Sequence, residues 1–236
     1  MEIQTQGLAI CCVPDGNRRY EMQEGLERYQ GHRKGYDALK CILRDVWDHD
    51  VDNFIFWALS KDNGKNREPE EVGNLFRLLD QGIEELREDA EFKKRDIRFR
   101  VVGDYWNRNL VPARLALKVD TLQEETKSRC GQTFTLLLAY NGDEEFLGAI
   151  DRMRGIPRSI PTTANLIDQC MPSGFLGCVD MYVRTGGEMH LSNGELMWQL
   201  RKAHFFSTET LWPDFTMNEL ASMIKEFKSR ERRSGA

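Results

Sequence analysis

Apolar residues gather along this chain in six short runs that are separated by longer amphipathic stretches. Each run has the length of a buried strand and is bounded by polar or glycine-containing residues. The predicted strands are Leu8–Val13, Phe54–Leu59, Ile97–Val102, Phe134–Tyr140, Val179–Val183 and, more weakly, His204–Ser207.

The stretches between these runs carry apolar residues at the three-to-four spacing of a helix with one buried face. The predicted helices are Gly35–Asp48, Glu70–Phe92, Pro112–Glu125, Glu144–Arg154, Ala164–Cys170 and Met217–Phe227. Because strands and helices alternate, the predicted fold class is α/β, with a central, mainly parallel six-stranded sheet surrounded by helices. No repeat or linker divides the chain, so we expect a single domain over residues 1–236.

Ligands of parallel sheets bind beyond the carboxyl ends of the strands. Polar segments follow four predicted strands at that point, namely Asp15–Arg19, Ser60–Asn63, Asn141–Gly142 and Arg184–Ser192. The first and last combine glycine, which lets backbone N–H groups approach a ligand, with arginine, which binds phosphate through paired N–H groups. We interpret them as polar loops that hold two diphosphates in one pocket, or one diphosphate from two sides.

Composition narrows the classes of partner. The net charge of −5 argues against non-specific nucleic-acid binding, so local arginine clusters indicate a small anionic ligand. No apolar run approaches the length of a membrane span, and no integral membrane segment is expected. The six cysteines contain no CxxC pair and the first residues lack a secretory pattern, so we expect a reduced, cytoplasmic protein without zinc.

Two of the polar segments suggest specific chemistry. Asp15 is a candidate Mg²⁺ ligand, because this hard cation prefers carboxylate, water and phosphate oxygens. A plain surface turn is the alternative for Asp15–Arg19, since Asp-Gly and Gly-Asn are common turn pairs. The basic segment Gly25–Gly35 opens a helix, and helix N-termini bind anions; a solvated basic turn is the alternative for this segment. The segment Ser60–Arg67 is expected to be a polar loop and lacks the P-loop pattern.

Together these segments resemble the cis-prenyltransferases, the undecaprenyl diphosphate synthase family. The shared motifs occur in family order over nearly the whole chain. They are DGNRRY, RxxGH (28–32), LSKDN with a later REPEEV, RVVGD (100–104), LLLAYNG, VDMYVRTGGE, LSN, LWPDF and RERR. The resemblance implies prenyl diphosphate substrates, Mg²⁺ bound by Asp15, and a homodimer or a complex with a related subunit.

The resemblance also assigns residues to the two substrates. The allylic diphosphate is expected at Asp15, Gly16, Asn17, Arg18, Arg19, Arg28 and His32. Asn63 and Arg67 match positions near the reacting carbons, and Ser60 beside them is a further candidate for substrate binding. Arg184 and Ser192 match the clamp for the acceptor diphosphate. Arg233 and Gly235 match a C-terminal motif that reaches across the dimer.

The chain departs from the family pattern mainly on the acceptor side. His190 stands in place of a second arginine, His204 in place of a metal-binding glutamate, and one extra residue lies within Gly194-Glu195. An aromatic residue is also missing at Gly64. We therefore expect a changed acceptor and hypothesise irregular coupling of two dimethylallyl diphosphates, of lavandulyl or cyclolavandulyl type.

Several alternatives stay open. They are regular cis elongation with isopentenyl diphosphate, a terpene cyclase on the same fold, and a non-catalytic partner subunit, against which the intact Asp15 segment argues. The proton acceptor is departing diphosphate, Asn63 through water, His190 or His204. Bulky Tyr36, Trp47 and Phe76 are expected to line the product tunnel and keep products short, unless they only fill the core.

Overall fold

The structure, a computed structural model, describes residues 7–27, 29–188, 190–192 and 194–230. Six strands form one sheet in which every hydrogen-bonded pair of strands is parallel. They are β1 (Leu8–Val13), β2 (Val51–Ser60), β3 (Arg98–Val102), β4 (Thr133–Tyr140), β5 (Met181–Arg184) and β6 (His204–Ser207), in the order β3-β4-β2-β1-β5-β6. The predicted α/β class with a central sheet is confirmed.

Helices cover the sheet and connect its strands. Those in the described residues are α1 (Asn17–Gln23), α2 (Gln30–Asp45), α3 (Lys61–Asn66), α4 (Pro69–Glu88), α5 (Ala90–Lys94), α6 (Ala113–Thr126), α7 (Gly142–Arg154), α8 (Ala164–Gln169) and α9 (Met217–Ser229). In α2 the spacing of Ala38, Leu39 and Ile42 buries one face of the helix. None of the helices described combines the length and the apolar character needed to cross a bilayer.

Two of the polar segments predicted as loops contain short helices, so that part of the sequence interpretation was wrong. Gly16 adopts a left-handed φ of 107° at the end of β1, and α1 begins at the next residue. Ser60 caps α3, because its Oγ accepts a hydrogen bond from the backbone N–H of Asn63 at 2.9 Å. These helices are polar and short, and therefore carry no apolar periodicity that a sequence pattern would reveal.

The long helix predicted over residues 70–92 is divided in two. Asp89 is extended (ψ 121°), which ends α4, and its Oδ1 accepts from the N–H of Phe92 at 2.7 Å to begin α5. Aspartate is a strong N-cap because its carboxylate satisfies a free N–H of the first turn. The apolar period continues across the break, so periodicity alone did not show it.

The core lies on both faces of the sheet. On one face, Phe54, Phe99 and Phe134 stack between the strands and the α2, α4 and α6 layer. Trp212, only 1% exposed, packs against Phe56 and closes this layer near the carboxyl ends of the strands. The central position of β1 beside β5 brings the segments after these two strands to the same edge of the sheet.

Candidate active site

Asp15 and Arg184 meet at the carboxyl edge of the sheet. Val13 and Arg184 are register partners in β1 and β5, and Asp15 follows two residues later. Oδ2 of Asp15 accepts a hydrogen bond from Nη2 of Arg184 at 3.1 Å, and Oδ1 lies 3.4 Å from Nη2 of Arg19. Thr185 fixes the backbone, because its Oγ1 accepts from the N–H of Asp15 at 2.9 Å. The carboxylate therefore lies between two guanidinium groups.

The part of the site expected to bind the allylic diphosphate, here called the donor side, is built from the start of α1. A Cβ atom at Gly16 would lie 2.8 Å from Cδ2 of Leu211, so the positive φ and the close packing both favour glycine. Nδ2 of Asn17 donates to the carbonyl of Pro14 at 3.1 Å. The buried Oδ1 of Asn17 has no hydrogen-bond partner, and this residue lines the main cavity. This oxygen is packed against α2, since a Cβ atom at Gly35 would lie 2.1 Å from it.

The arginines of α1 have different surroundings. Nη1 of Arg19 donates to the carbonyl of Gly186 at 2.7 Å, which holds this side chain against the Arg184 loop. Arg18 is exposed and lines a second, polar cavity of about 350 Å³ that it shares with His32 and Arg67. Positive charge therefore faces the donor side of the site from more than one direction.

His32 is buried at the start of α2, next to the ion pair of the partly exposed Arg67 with the buried Glu71. Its Nε2 lies 3.3 Å from Nη1 of Arg67, which donates to Oε1 of Glu71 at 2.8 Å. Burial first, and then the charges of Arg67 and Arg18, lower the pKa of His32 to about 4. The imidazole is therefore neutral at neutral pH, and its buried Nδ1 has no hydrogen-bond partner.

Asn63 reaches the same region from α3. It lines both the main cavity and the polar cavity, whereas Ser60 serves as the helix cap at the mouth of the main cavity. Lys61 ties α3 to its surroundings, because its Nζ pairs with Asp104 at 3.1 Å and also with Glu144. Sequence reasoning did not single out Lys61, because its partners follow β3 and begin α7.

The acceptor side is centred on Arg184, which is 7% exposed. Its Nη1 donates to the carbonyl of His190 at 2.8 Å and to Oε1 of Glu195 at 3.2 Å. Oε1 of Glu195 also accepts from the hydroxyl of Ser192 at 3.2 Å. Nδ1 of the half-exposed His190 lies 3.3 Å from Oε2 of Glu188. Arg184 and Ser192 were both predicted site residues. The Glu195 carboxylate, which contacts both of them, was not predicted.

Glu195 is the functional candidate that sequence reasoning missed. It is 2% exposed, and this burial raises the pKa of its carboxyl group. Hydrogen bonds from Tyr182 and Ser192 and the charge of Arg184 act in the opposite direction and lower this pKa. A signal was present in the sequence, since a glutamate precedes the apolar run LMW. A buried carboxylate is seldom tolerated without a partner.

The structure does not bring His204 to this group. It begins β6 beside Met181, whereas Arg184 pairs with Ser207 at the other end of the same strand. A strand of this length separates the two ends by roughly 10 Å. Nδ1 of His204 instead lies 3.2 Å from Arg230, and its ring packs edge-on against Phe227. The predicted residues Arg28, Arg233 and Gly235 lie outside the described residues.

The two sides share one cavity of about 660 Å³. Asp15, Asn17 and His32 line it on the donor side, and Arg184, His190 and Ser192 on the acceptor side. Its remaining wall is largely apolar, with leucines from α2, β2 and α4 and the rings of Phe56, Trp57 and Trp212. Apolar side chains therefore lie between the two polar sides of the cavity, together with Ser60, Asp62, Asn63 and Arg67.

A more apolar cavity of about 480 Å³ continues between α2 and α4. Trp47 lines it, and Tyr36 lines both cavities, as predicted for a tunnel wall. Oη of Tyr36 donates to Oε2 of Glu85 at 2.6 Å, which fixes the ring between the helices. Phe76 lines neither of these two cavities and packs against the hydrophobic core, which was the alternative stated for it, while Leu75, Leu78 and Leu79 line the main cavity.

Comparison with known proteins agrees with this arrangement. Residues 13–235 match the Prenyltransf family model, undecaprenyl diphosphate synthase. This chain belongs to that family. The isoprenyl transferase of Wolinella succinogenes is 36% identical over 227 residues, which cover 96% of this chain and 95% of the relative. The resemblance found in the motifs is confirmed, and the chain is a prenyltransferase.

Two solved structures of prenyltransferases share the fold. Lavandulyl diphosphate synthase from Lavandula x intermedia, in complex with dimethylallyl diphosphate, superposes with a TM-score of 0.85 at 24% identity, covering 96% of this chain and 97% of its own. A probable undecaprenyl diphosphate synthase from Campylobacter jejuni gives 0.76 at 26% identity, covering 97% and 99%. The first likeness establishes the fold and nothing more.

The residues at the cavity fit a magnesium ion that arrives with a diphosphate. Among residues 7–27, 29–188, 190–192 and 194–230, no three His, Cys, Asp or Glu side chains form a metal cluster. Magnesium needs no such cage, since one or two carboxylates together with substrate phosphates and water complete its shell. Asp15, whose side chain is 35% exposed, supplies hard oxygen atoms of the required kind.

Proposed function

We propose that this prenyltransferase is a magnesium-dependent short-chain prenyl diphosphate synthase. It ionises an allylic diphosphate beside Asp15 and couples the prenyl group to a second C5 diphosphate beside Arg184. The observation that carries the proposal is the position of the Asp15 carboxylate between Arg19 and Arg184, in a cavity that both sides share. We further propose that the chain is one domain and acts as a homodimer in the cytoplasm.

On the donor side, catalysis is the stabilisation of a leaving group. Magnesium held by Asp15 would act as a Lewis acid toward the departing diphosphate. Arg18 and Arg19 neutralise the negative charge that grows on it, and the start of α1 offers backbone N–H groups. Neutral His32 retains an N–H that it can donate to a phosphate oxygen.

The cavity wall protects the carbocation that this step leaves. Leu39, Phe56 and Leu59 line the space between the two sides and offer no nucleophile. Excluding water prevents hydrolysis and holds the acceptor double bond close to the cationic carbon. The electron pair of that double bond forms the new C–C bond, diphosphate takes the electrons of the broken C–O bond, and a proton then leaves the product.

Irregular coupling is supported by the contrast between the two sides. The described donor residues are those that the family resemblance implies, whereas His190 and Glu195 alter the surroundings of Arg184 on the acceptor side. We therefore propose dimethylallyl diphosphate as the acceptor and a product of lavandulyl or cyclolavandulyl type. The proton acceptor is departing diphosphate, Asn63 through water, or His190, because His204 lies at the opposite end of β6.

Regular cis elongation with isopentenyl diphosphate is the second candidate. The apolar cavity beyond Tyr36 favours it, because a growing chain needs space of this kind. The high coverage of the isoprenyl transferase relative adds to that support.

Irregular coupling and regular elongation can be distinguished by the substrates that are supplied. Purified protein with Mg²⁺ is incubated with dimethylallyl diphosphate alone, and in parallel with added isopentenyl diphosphate. Organic extracts are analysed by gas chromatography and mass spectrometry before and after phosphatase treatment. We expect a C10 alcohol from dimethylallyl diphosphate alone, only after phosphatase. Product that requires isopentenyl diphosphate overturns irregular coupling, and hydrocarbon before phosphatase indicates a cyclase. No product under any condition overturns the proposed function.

A further inference from the structure

One buried carboxylate, that of Glu195, contacts both Arg184 and Ser192 on the acceptor side. Oε1 of Glu195 lies 3.2 Å from Nη1 of Arg184 and 3.2 Å from Oγ of Ser192. The side chains of Glu195 and Arg184 are 3% and 8% exposed, so solvent screens this pair little. The donors proposed to hold the acceptor diphosphate are thus already bound to a negative charge.

The backbone around Glu195 is held firmly in place. The N–H of Glu195 donates to the carbonyl of Ser192 at 3.1 Å, and the N–H of Gly142 donates to the carbonyl of Gly194 at 3.1 Å. A Cβ atom at Gly194 would lie 2.7 Å from Cζ2 of Trp57, so this turn packs tightly against β2. The backbone that carries the Glu195 carboxylate is therefore fixed beside Arg184, where an incoming anion would meet this negative charge.

We propose that Glu195 is a specificity-determining residue that neutralises Arg184 and weakens the binding of a diphosphate on the acceptor side. This inference rests on the proposed function and deepens it. Where one compound serves as both donor and acceptor, a weakened acceptor side ensures that the donor side fills first. The acceptor is then held largely by apolar contacts in the cavity, and its diphosphate contributes less.

Burial distinguishes Glu195 from the other carboxylate on this loop. Glu188 lies 3.7 Å from the same guanidinium, but its side chain is 50% exposed. Charges in water-filled surroundings interact several-fold more weakly than charges at a buried site. Removing the charge of Glu195 should therefore change anion affinity far more than removing the charge of Glu188, which provides a matched control.

The test is isothermal titration calorimetry with Mg²⁺ and the unreactive dimethylallyl thiolodiphosphate. We expect a tight and a weak site in the wild-type protein. Glu195→Gln keeps the side-chain shape and should tighten only the weak site, on the order of tenfold. Glu188→Gln should change it less than about threefold. A weak site that is unchanged or weaker in Glu195→Gln, an equal shift at both sites, or an equal effect of Glu188→Gln would overturn the proposal.

Two further measurements keep the test decisive. Removing one partner of a buried pair destabilises proteins, so Glu195→Ala serves as a second charge-removing variant with the same expectation. If neither variant folds, the proposal is tested by the anion preference of the weak site in the wild-type protein. We expect this site to prefer inorganic pyrophosphate over phosphate by less than about tenfold, and any larger preference overturns the inference. If the binding results are as expected but the protein shows no turnover, the role of Glu195 in anion binding stands. Only the proposed reaction is then refuted.

Discussion

Oδ2 of Asp15 accepts a hydrogen bond at 3.1 Å from Nη2 of Arg184, a residue 169 positions later in the chain. This contact joins the two clusters of glycine and arginine that stand out in the sequence. It follows from the sheet order, because β1 and β5 are neighbours and their carboxyl ends are in register. A change in the charge of either residue should therefore alter diphosphate binding on both the donor side and the acceptor side of the cavity.

Replacing Asp15 tests the proposed metal ligand. Asp15→Asn keeps the size of the side chain but removes its charge, so we expect kcat to fall about a thousandfold. Chelation of Mg²⁺ with EDTA should abolish the wild-type activity, and added Mg²⁺ should restore it. Asp80→Asn is the matched control, since Asp80 has a similar exposure and is also ion-paired, with Lys118. Full turnover in Asp15→Asn would refute the assignment.

His32 should make the stability of the protein depend on pH. Its pKa in the folded protein is about 4, below the ordinary value of 6.5, so the unfolded chain binds the additional proton between these values. The contribution of neutral His32 is complete above pH 6.5 and is lost as pH falls toward 4.

Urea unfolding at two pH values measures this contribution. Between pH 7 and pH 4.5, the free energy of unfolding should fall about 2 kcal/mol more in the wild-type protein than in His32→Asn. A parallel loss in both proteins would show that His32 is not the titrating group.

Tyr36 should limit the length of the product. Its ring stands between the two cavities and is fixed by Glu85, so Tyr36→Ala would join the two spaces. With both C5 diphosphates supplied, we expect the product to gain at least one C5 unit, measured by mass spectrometry after phosphatase treatment. Trp47→Ala, which enlarges the second cavity, should extend the product further when combined with it.

Tyr36→Phe provides the control for this experiment. It removes the hydrogen bond to Glu85 but keeps the ring, and product length should stay that of the wild-type protein. Unchanged products from Tyr36→Ala would contradict a blocking role and would leave the ring as part of the core.

Trp212 should stabilise the fold next to the site. It is 1% exposed, and its Nε1 donates to the carbonyl of Gly35 at 2.8 Å. Trp212→Phe loses this buried hydrogen bond and leaves a void, so we expect the free energy of unfolding to fall by about 2 kcal/mol. Trp106→Phe, at a side chain that is 50% exposed, should cost less than about 0.5 kcal/mol in the same urea titration.

The sheet was predictable from local pattern because parallel strands are buried on both faces and appear as continuous apolar runs. The run Phe134–Tyr140, for example, corresponds to β4, which starts one residue earlier at Thr133. The helices α1 and α3 were missed because short helices beside a polar site bury too little to show a period. Their caps at Gly16 and Ser60 depend on the chain turning at a strand end.

The sequence by itself determined the order of strands and helices, the family motifs, and the residue types needed to hold a diphosphate. Only the tertiary structure decided which of these residues meet. His204 was assigned by its place in a motif, yet strand direction carries it to the far end of β6 from Arg184. Glu195 was seen only as part of an insertion, yet the path of the loop buries it against Arg184. Local sequence sets backbone preference and burial, whereas pairing between distant charges depends on how the sheet and its loops bring them together.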